Sequence, residues 1–209
     1  MTKKSEILPI HHPEALNRAA AVVQSGGVIA FPTDTVYGIG VSAFQAKAIE
    51  QIYHIKGRSS LKAIPILLED VTKTVQITPP LSSPAKILSS AFWPGPLTLV
   101  LPLLPSLPKN LSPTPTIGLR VPDHAFTQAL LHFTGPLAAT SANFSGKPSA
   151  LTASEVQTQL GGSVNLILDG GRAPGGLAST VLDCSGNTPL LLREGPLSWE
   201  EIEAALSAN

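Results

Sequence analysis

Prolines concentrate between Pro79 and Pro122 and include the run Trp93-Pro94-Gly95-Pro96. Each removes an amide donor, so neither a long helix nor a central strand passes through those positions. Apolar runs interrupt the prolines, which makes the segment a loop-rich crossover and not a disordered tail. The chain must therefore be built from short pieces. Pro13 opens a helical stretch with apolar positions at Leu16, Ala19, Ala20 and Val23, and Gly26-Gly27 closes it. Val28 to Phe31 reads as a strand, followed by a polar turn from Pro32 to Thr35 and a helix carrying Ile49, Ile52, Tyr53 and Ile55. Further strands are expected at Ala63 to Leu68, Leu97 to Leu101, Thr116 to Val121, Val164 to Leu168, Thr180 to Cys184 and Leu190 to Arg193. Helices are expected at 81–91, 124–133, 153–160 and 198–207, the last two opened by capping boxes, Thr152 with Glu155 and Ser198 with Glu201. This order of strand, loop and helix belongs to the α/β class. With 209 residues, 43% of them hydrophobic, and no internal repeat or linker, one domain over 1–209 is expected.

Charge narrows the function. The 14 basic side chains match 14 acidic ones, so no global field draws the chain to nucleic acid or an anionic membrane, and any anion site must be local. The lone Cys184 excludes an internal disulfide and a multi-thiolate zinc site, and reads as a small core residue in a reducing compartment. The five histidines have no metal-ligand spacing. The N-terminal stretch lacks the apolar core of a signal peptide, and no apolar run reaches membrane-spanning length, so a cytoplasmic protein without membrane association is expected.

Several short motifs fail on context. Gly38, Gly40 and Ala43 imitate a dinucleotide fingerprint but stand beyond the strand, with no acid near residue 60 to hold a ribose. Gly146-Lys147 lacks the earlier glycine of a phosphate loop, and Pro148 replaces its Ser or Thr. Ser59 with Lys62 and Ser141 with Asn143 match two elements of a serine acylase whose third, K-T-G, is missing. A more coherent set combines cations with small hydroxyls: Thr35, Lys56, Arg58, Lys62, Arg120, Ser141, Asn143, Ser179 and Arg193. Nearly all fall at expected strand ends or adjoining loops, which converge on one crevice in an α/β sheet and would make a local anion site there.

The blocks PTDTVYGIG (32–40), KGRSSLK (56–62), FWPGPLTLVL (92–101), TIGLRVP (116–122), TSANFSGKPS (140–149), STVLD (179–183) and LLREG (191–195) resemble the YrdC family in order and spacing. The resemblance is strongest over residues 26–196, and its hallmark K-x-R and S-x-N pair is present as Lys56, Arg58, Ser141 and Asn143. It implies an open, twisted, mixed sheet with flanking helices and a basic concave cavity for ATP. It also implies a nucleotidyltransferase reaction: L-threonine, bicarbonate or CO2 and ATP give L-threonylcarbamoyladenylate and pyrophosphate, for modification of adenosine in tRNA. By position, the resemblance assigns Thr35, Arg120, Ser141 and Ser179 to threonine, and Arg58, Lys62, Thr116, Asn143 and Arg193 to ATP. Lys56, Arg58 and Ser141 would serve the reacting centre, with catalysis resting on position and charge. ATP enters as substrate with a divalent cation, Mg2+ by expectation and with unassigned ligands, and no organic cofactor is implied. The chain ends soon after the last block, as in the short bacterial type that passes its product to separate tRNA threonylcarbamoyl-transferase proteins. Weak contact with tRNA or double-stranded RNA is compatible with the resemblance. Alternatives are a non-catalytic RNA- or nucleotide-binding module and a paralogue that activates another carbamate. Two departures stand out, Ala63-Ile64 after the basic loop and Ser149-Ala150-Leu151 after the S-x-N block, where Thr152 would have to supply a hydroxyl. Tyr37, Trp93 and Phe144 are candidates for the pocket wall or for core.

Overall fold

The computed structural model describes residues 5–57 and 59–208. In chain order the elements are β1 (Glu6–Pro9), α1 (Ala15–Gln24), β2 (Ile29–Phe31), β3 (Gly38–Ser42), α2 (Ala46–Lys56), β4 (Ile66–Leu67), α3 (Ser83–Phe92), β5 (Leu97–Pro102), β6 (Thr116–Arg120), α4 (Ala125–Thr134), β7 (Leu137–Ser141), α5 (Ala153–Leu160), β8 (Leu166–Asp169), β9 (Thr180–Asp183), β10 (Leu190–Arg193) and α6 (Trp199–Ser207). The strands form one mixed sheet in the order β1-β8-β2-β3-β7-β4-β6-β5-β9-β10. The proline-rich segment is a crossover as expected: it carries α3 and the short strands β5 and β6, which pair antiparallel.

Two strands at the centre of the sheet were not expected from sequence. β3, GIGVS, reads as a glycine string, yet it pairs antiparallel with β2 and β7 and four of its five residues are buried. β7, LAATS, is made of small residues without a β-branched run. Sheet pairing on both sides decides their state, where intrinsic propensity is weak. β1 was also missed, and the expected strand at 63–68 contracts to Ile66–Leu67. The first helix begins at Ala15, after Pro13, with no side-chain cap at Glu14.

Helix ends follow local chemistry. Ser198 and Glu201 make the full reciprocal box. At α5 only half of it forms: Thr152 Oγ1 accepts from Glu155 N (3.2 Å), but Glu155 Oε2 reaches past the cap to the amide of Leu151 (2.7 Å). Thr152 is thus committed to the helix end, and Ala150 is core, its carbonyl accepting from Tyr37 N.

The sheet separates two cores. One cluster takes residues from α2, α5 and α6 together with Ala85 and Leu88 of α3. The other packs α1 and α4 on Ile29, Phe31, Leu67, Leu137, Ala139, Leu166 and Leu168, and includes no residue of β5, β6, β9 or β10. Register carries that second face outward: Leu67 pairs with Arg120, Leu99 with Leu119 so that Thr98 lies opposite Arg120, Thr98 pairs with Val181, and Val181 with Arg193. This face therefore places Thr98, Arg120, Val181 and Arg193 on sheet that neither α1 nor α4 covers.

Candidate functional site

A cavity of about 240 Å3 opens on that uncovered face. Its lining includes Thr33, Thr35, Thr98, Arg120, Ser141, Ser179 and Arg193 with apolar Val36, Leu67 and Ala139. Gly118 leaves room for one of these lining residues, since a Cβ there would lie 2.9 Å from the methyl of Thr98.

Arg120, at the end of β6, is fixed on three sides. Its Nε donates to the Gly95 carbonyl (2.9 Å), Nη1 to Thr35 Oγ1 (3.0 Å) and Nη2 to Asp34 Oδ1 (2.5 Å). The Trp93–Pro96 run is thus the arginine's backstop. Burial lowers the pKa of Arg120, and Asp34 offsets part of that. Arg193 donates from Nε and Nη2 to the Ser179 carbonyl (3.1 and 2.7 Å) and from Nη2 to Ser179 Oγ (3.2 Å). Its pKa is lowered by burial first and by Arg120 second, as expected of two cations facing one space.

The turn from Thr33 to Val36 sets how Thr35 meets the cavity. Thr33 Oγ1 donates to the Val36 carbonyl (2.7 Å) and accepts from the amides of Thr35 and Val36 (3.1 and 3.2 Å). Its proton is committed to Val36 and its two lone pairs to the amides, so the 3.0 Å contact between the two hydroxyls does not use up the Thr35 proton. Thr35 Oγ1 accepts from Arg120 and keeps one lone pair and its proton for a ligand. Tyr37 is fully buried, its hydroxyl donating to the Gly171 carbonyl (2.8 Å) and accepting from Gly170 N (3.0 Å); desolvation leads the upward shift of its pKa.

The hallmark pair forms a clamp beside the cavity. Lys56, in the last turn of α2 and only 4% exposed, directs Nζ at the carbonyls of Ser141 (2.6 Å) and Asn143 (2.7 Å) and at Asn143 Oδ1 (3.2 Å). Ser141 Oγ donates to the same Oδ1 (2.5 Å), and Asn143 Nδ2 donates to the carbonyls of Phe144 and Lys147. The ammonium and the amide are thus turned to the 141–147 loop, which they hold in shape. Of the residues singled out from sequence, Thr35, Arg120, Ser141, Ser179 and Arg193 meet at the cavity, while Lys56 and Asn143 stand behind its wall. Lys62 lies on the exposed turn after α2, outside the cavity lining, and Thr116 sits at the far end of β6, its hydroxyl 3.1 Å from that of Thr114. Arg58 lies outside the described residues. Ser59 is exposed, its hydroxyl accepting from Leu61 N (3.2 Å). Trp93 donates to the Leu97 carbonyl (2.8 Å), and Phe144 is exposed. Sequence reasoning missed Asp34, Thr33 and Thr98, although all three stand inside blocks it quoted, PTDT and PGPLT.

Among the described residues no group of three or more His, Cys, Asp or Glu is placed to hold a metal ion. The cavity's donors are hydroxyls and guanidiniums, and the nearby carboxylate of Asp34 is engaged by Arg120. This donor set does not fit a protein-bound Mg2+, which favours carboxylates. Among the described residues no helix is long and apolar enough to cross a membrane.

The family model Sua5_yciO_yrdC, described as "Telomere recombination", matches residues 21–195. The threonylcarbamoyl-AMP synthase of Bacillus subtilis is 42% identical over 192 residues, covering 90% of this chain and 56% of that protein. The putative threonylcarbamoyl-AMP synthase of Mycobacterium tuberculosis is 35% identical, covering 96% of this chain and 93% of that protein. Among solved structures, Pyrococcus abyssi Sua5 complexed with L-threonine superposes with a TM-score of 0.90 at 34% identity, covering 99% of this chain and 61% of that one. The chain spans little more than half the length of the Bacillus and Pyrococcus relatives it matches.

Proposed function

Because the chain belongs to the Sua5/YciO/YrdC family, we propose that it condenses L-threonine, bicarbonate or CO2 and ATP into L-threonylcarbamoyladenylate, with release of pyrophosphate. The observation that carries this reading is the convergence of Thr35, Arg120 and Ser179 on one small cavity of mixed polar and apolar lining. Its size suits an amino acid better than a drug-sized ligand. Arg120 would take the carboxylate, and the lone pair left on Thr35 would take an N–H or O–H of the same molecule. The threonine complex of the Pyrococcus relative supports the choice of amino acid.

In the proposed reaction the threonine nitrogen attacks bicarbonate carbon, water departs, and a carbamate results. A carbamate oxygen then bonds to the α-phosphorus of ATP as the bond to pyrophosphate breaks. Arg193, with Arg58 and Lys62, would hold the phosphates, Thr116 the nucleoside end, and Ser141 the junction of the two ligands. Lys56 and Asn143 would act through the loop they hold. Fixed donors of this kind stabilise developing charge without reorganising solvent. Any Mg2+ would arrive on the phosphates. We also propose a cytoplasmic site of action and transfer of the product to a separate tRNA-modifying transferase.

The test is pyrophosphate release together with mass detection of the adenylate, omitting ATP, threonine and bicarbonate in turn. Each omission is expected to abolish product. Pyrophosphate release that is equal with and without threonine would refute the proposal and favour a different carbamate or a nucleotide-binding role.

A further inference from the structure

We propose that Thr98 is a positioning residue that turns the Ser179 hydroxyl into a proton donor aimed at the amino-acid substrate; this rests on the reading of the cavity as a threonine site. Thr98 is buried on β5, and the 2.7 Å contact with Ser179 Oγ is the sole hydrogen bond of its hydroxyl among the described residues. Thr98 and Ser179 are buried alike, and either hydroxyl could donate in this contact. In the proposed arrangement Thr98 is the donor. Ser179 Oγ also accepts from Arg193 Nη2 at 3.2 Å. Both of its lone pairs are then filled, and its proton has no acceptor among the described residues other than the cavity's contents.

The cavity consequently offers two hydroxyls of different character. Thr35, accepting from Arg120, keeps a lone pair and its proton; Ser179, its lone pairs engaged by Thr98 and Arg193, offers only a proton. A ligand must set an acceptor oxygen against Ser179. Gly118 supports the arrangement, because the Thr98 methyl occupies the space where a larger residue's Cβ would stand, which leaves Oγ1 facing Ser179. Nothing in this chain of contacts has Thr98 touch the reacting atoms.

The experiment measures the Kd for L-threonine by calorimetry in wild type, T98V, T98A, T98S, S179A and the double variant T98V/S179A, with Tm as a control. T98V and T98A, each removing the hydroxyl at a different side-chain volume, are expected to weaken threonine binding about tenfold, the scale of one hydrogen bond to a charged ligand. T98S is expected to bind within about twofold of wild type, since it keeps the hydroxyl. In the S179A background T98V is expected to have no further effect, because the group it positions is gone. Wild-type affinity in both T98V and T98A, or an undiminished effect of T98V on top of S179A, would overturn the role of Thr98 and leave the threonine site standing. Absence of threonine binding by folded wild-type protein would overturn both.

Discussion

Asp34 and Arg120 bring opposite charges together where water barely reaches, with side chains 12% and 8% exposed. Such a pair contributes little net stability when intact, but breaking it strands the buried partner. Asp34→Asn keeps an acceptor oxygen and loses the charge, so it is expected to lower stability by about 2 kcal/mol in urea melts and to raise the threonine KM more than it lowers kcat. An unchanged urea midpoint would mean that the pair is fully screened. Gly195 is constrained by space: a Cβ there would lie 2.3 Å from Thr180 N and 2.6 Å from the Ser179 carbonyl carbon. Gly195→Ala must push away the backbone that presents Ser179. Loss of threonine binding together with a lower Tm is expected, and a variant with wild-type Kd would refute the close approach. Cys184, by contrast, behaves as its sequence implied. Burial, then Asp183, pushes its thiol up to about 12, and it stays a protonated core group.

Elements reach the site through their ends. α2 places Lys56 in its last turn, where a cation suits the helix dipole, and Gly57 in the left-handed conformation releases the chain. The 141–147 loop returns the contact through Ser145 N, which donates to the Lys56 carbonyl (3.0 Å). Lys56→Met should therefore loosen the loop as well as remove charge. Faster amide exchange across 143–147 is expected, and unchanged exchange there would refute the clamp. α4 opens on an uncommon cap, His124, whose Nδ1 accepts from Thr127 N (3.4 Å). Burial lowers its pKa below 6.5, with Asp34 and Asp123 opposing that shift. As pH falls through 6.5 the unfolded chain takes up a proton that the folded chain refuses, so this cap's contribution to stability is lost on acidification until the folded pKa is passed. His124→Asn keeps an acceptor and removes the titration. Its urea midpoint is expected to fall less than that of wild type between about pH 7.5 and pH 5.5, and parallel curves would refute the linkage.

At the scale of the molecule, the cavity ties together the 33–38 turn, β5, β6, β7 and the 178–193 segment, parts of the chain far apart in sequence. A ligand bound there must stabilise the whole sheet. Threonine at about 100 times its Kd is expected to add roughly 2.7 kcal/mol, a rise of about 5–10 °C in Tm for a chain of this size. Serine at the same concentration should give a smaller rise, because one methyl against a wall such as Val36, Leu67 and Ala139 is worth about 1–3 kcal/mol. Equal shifts would sink the threonine assignment. By itself the sequence determined the α/β class, the crossover around the WPGP run and the Ser198 cap, while the blocks pointed to the cavity residues only through the family they resemble. The first three signals are local: a cap, a helical stripe or a proline constraint is complete within a few residues. Tertiary structure alone decided that β3 and β7 are strands, that Lys56 faces Asn143, 87 positions away, and that Thr98 meets Ser179 across 81. Such contacts exist only after the sheet has closed the intervening chain, so no short-range pattern in the sequence encodes which way those side chains turn.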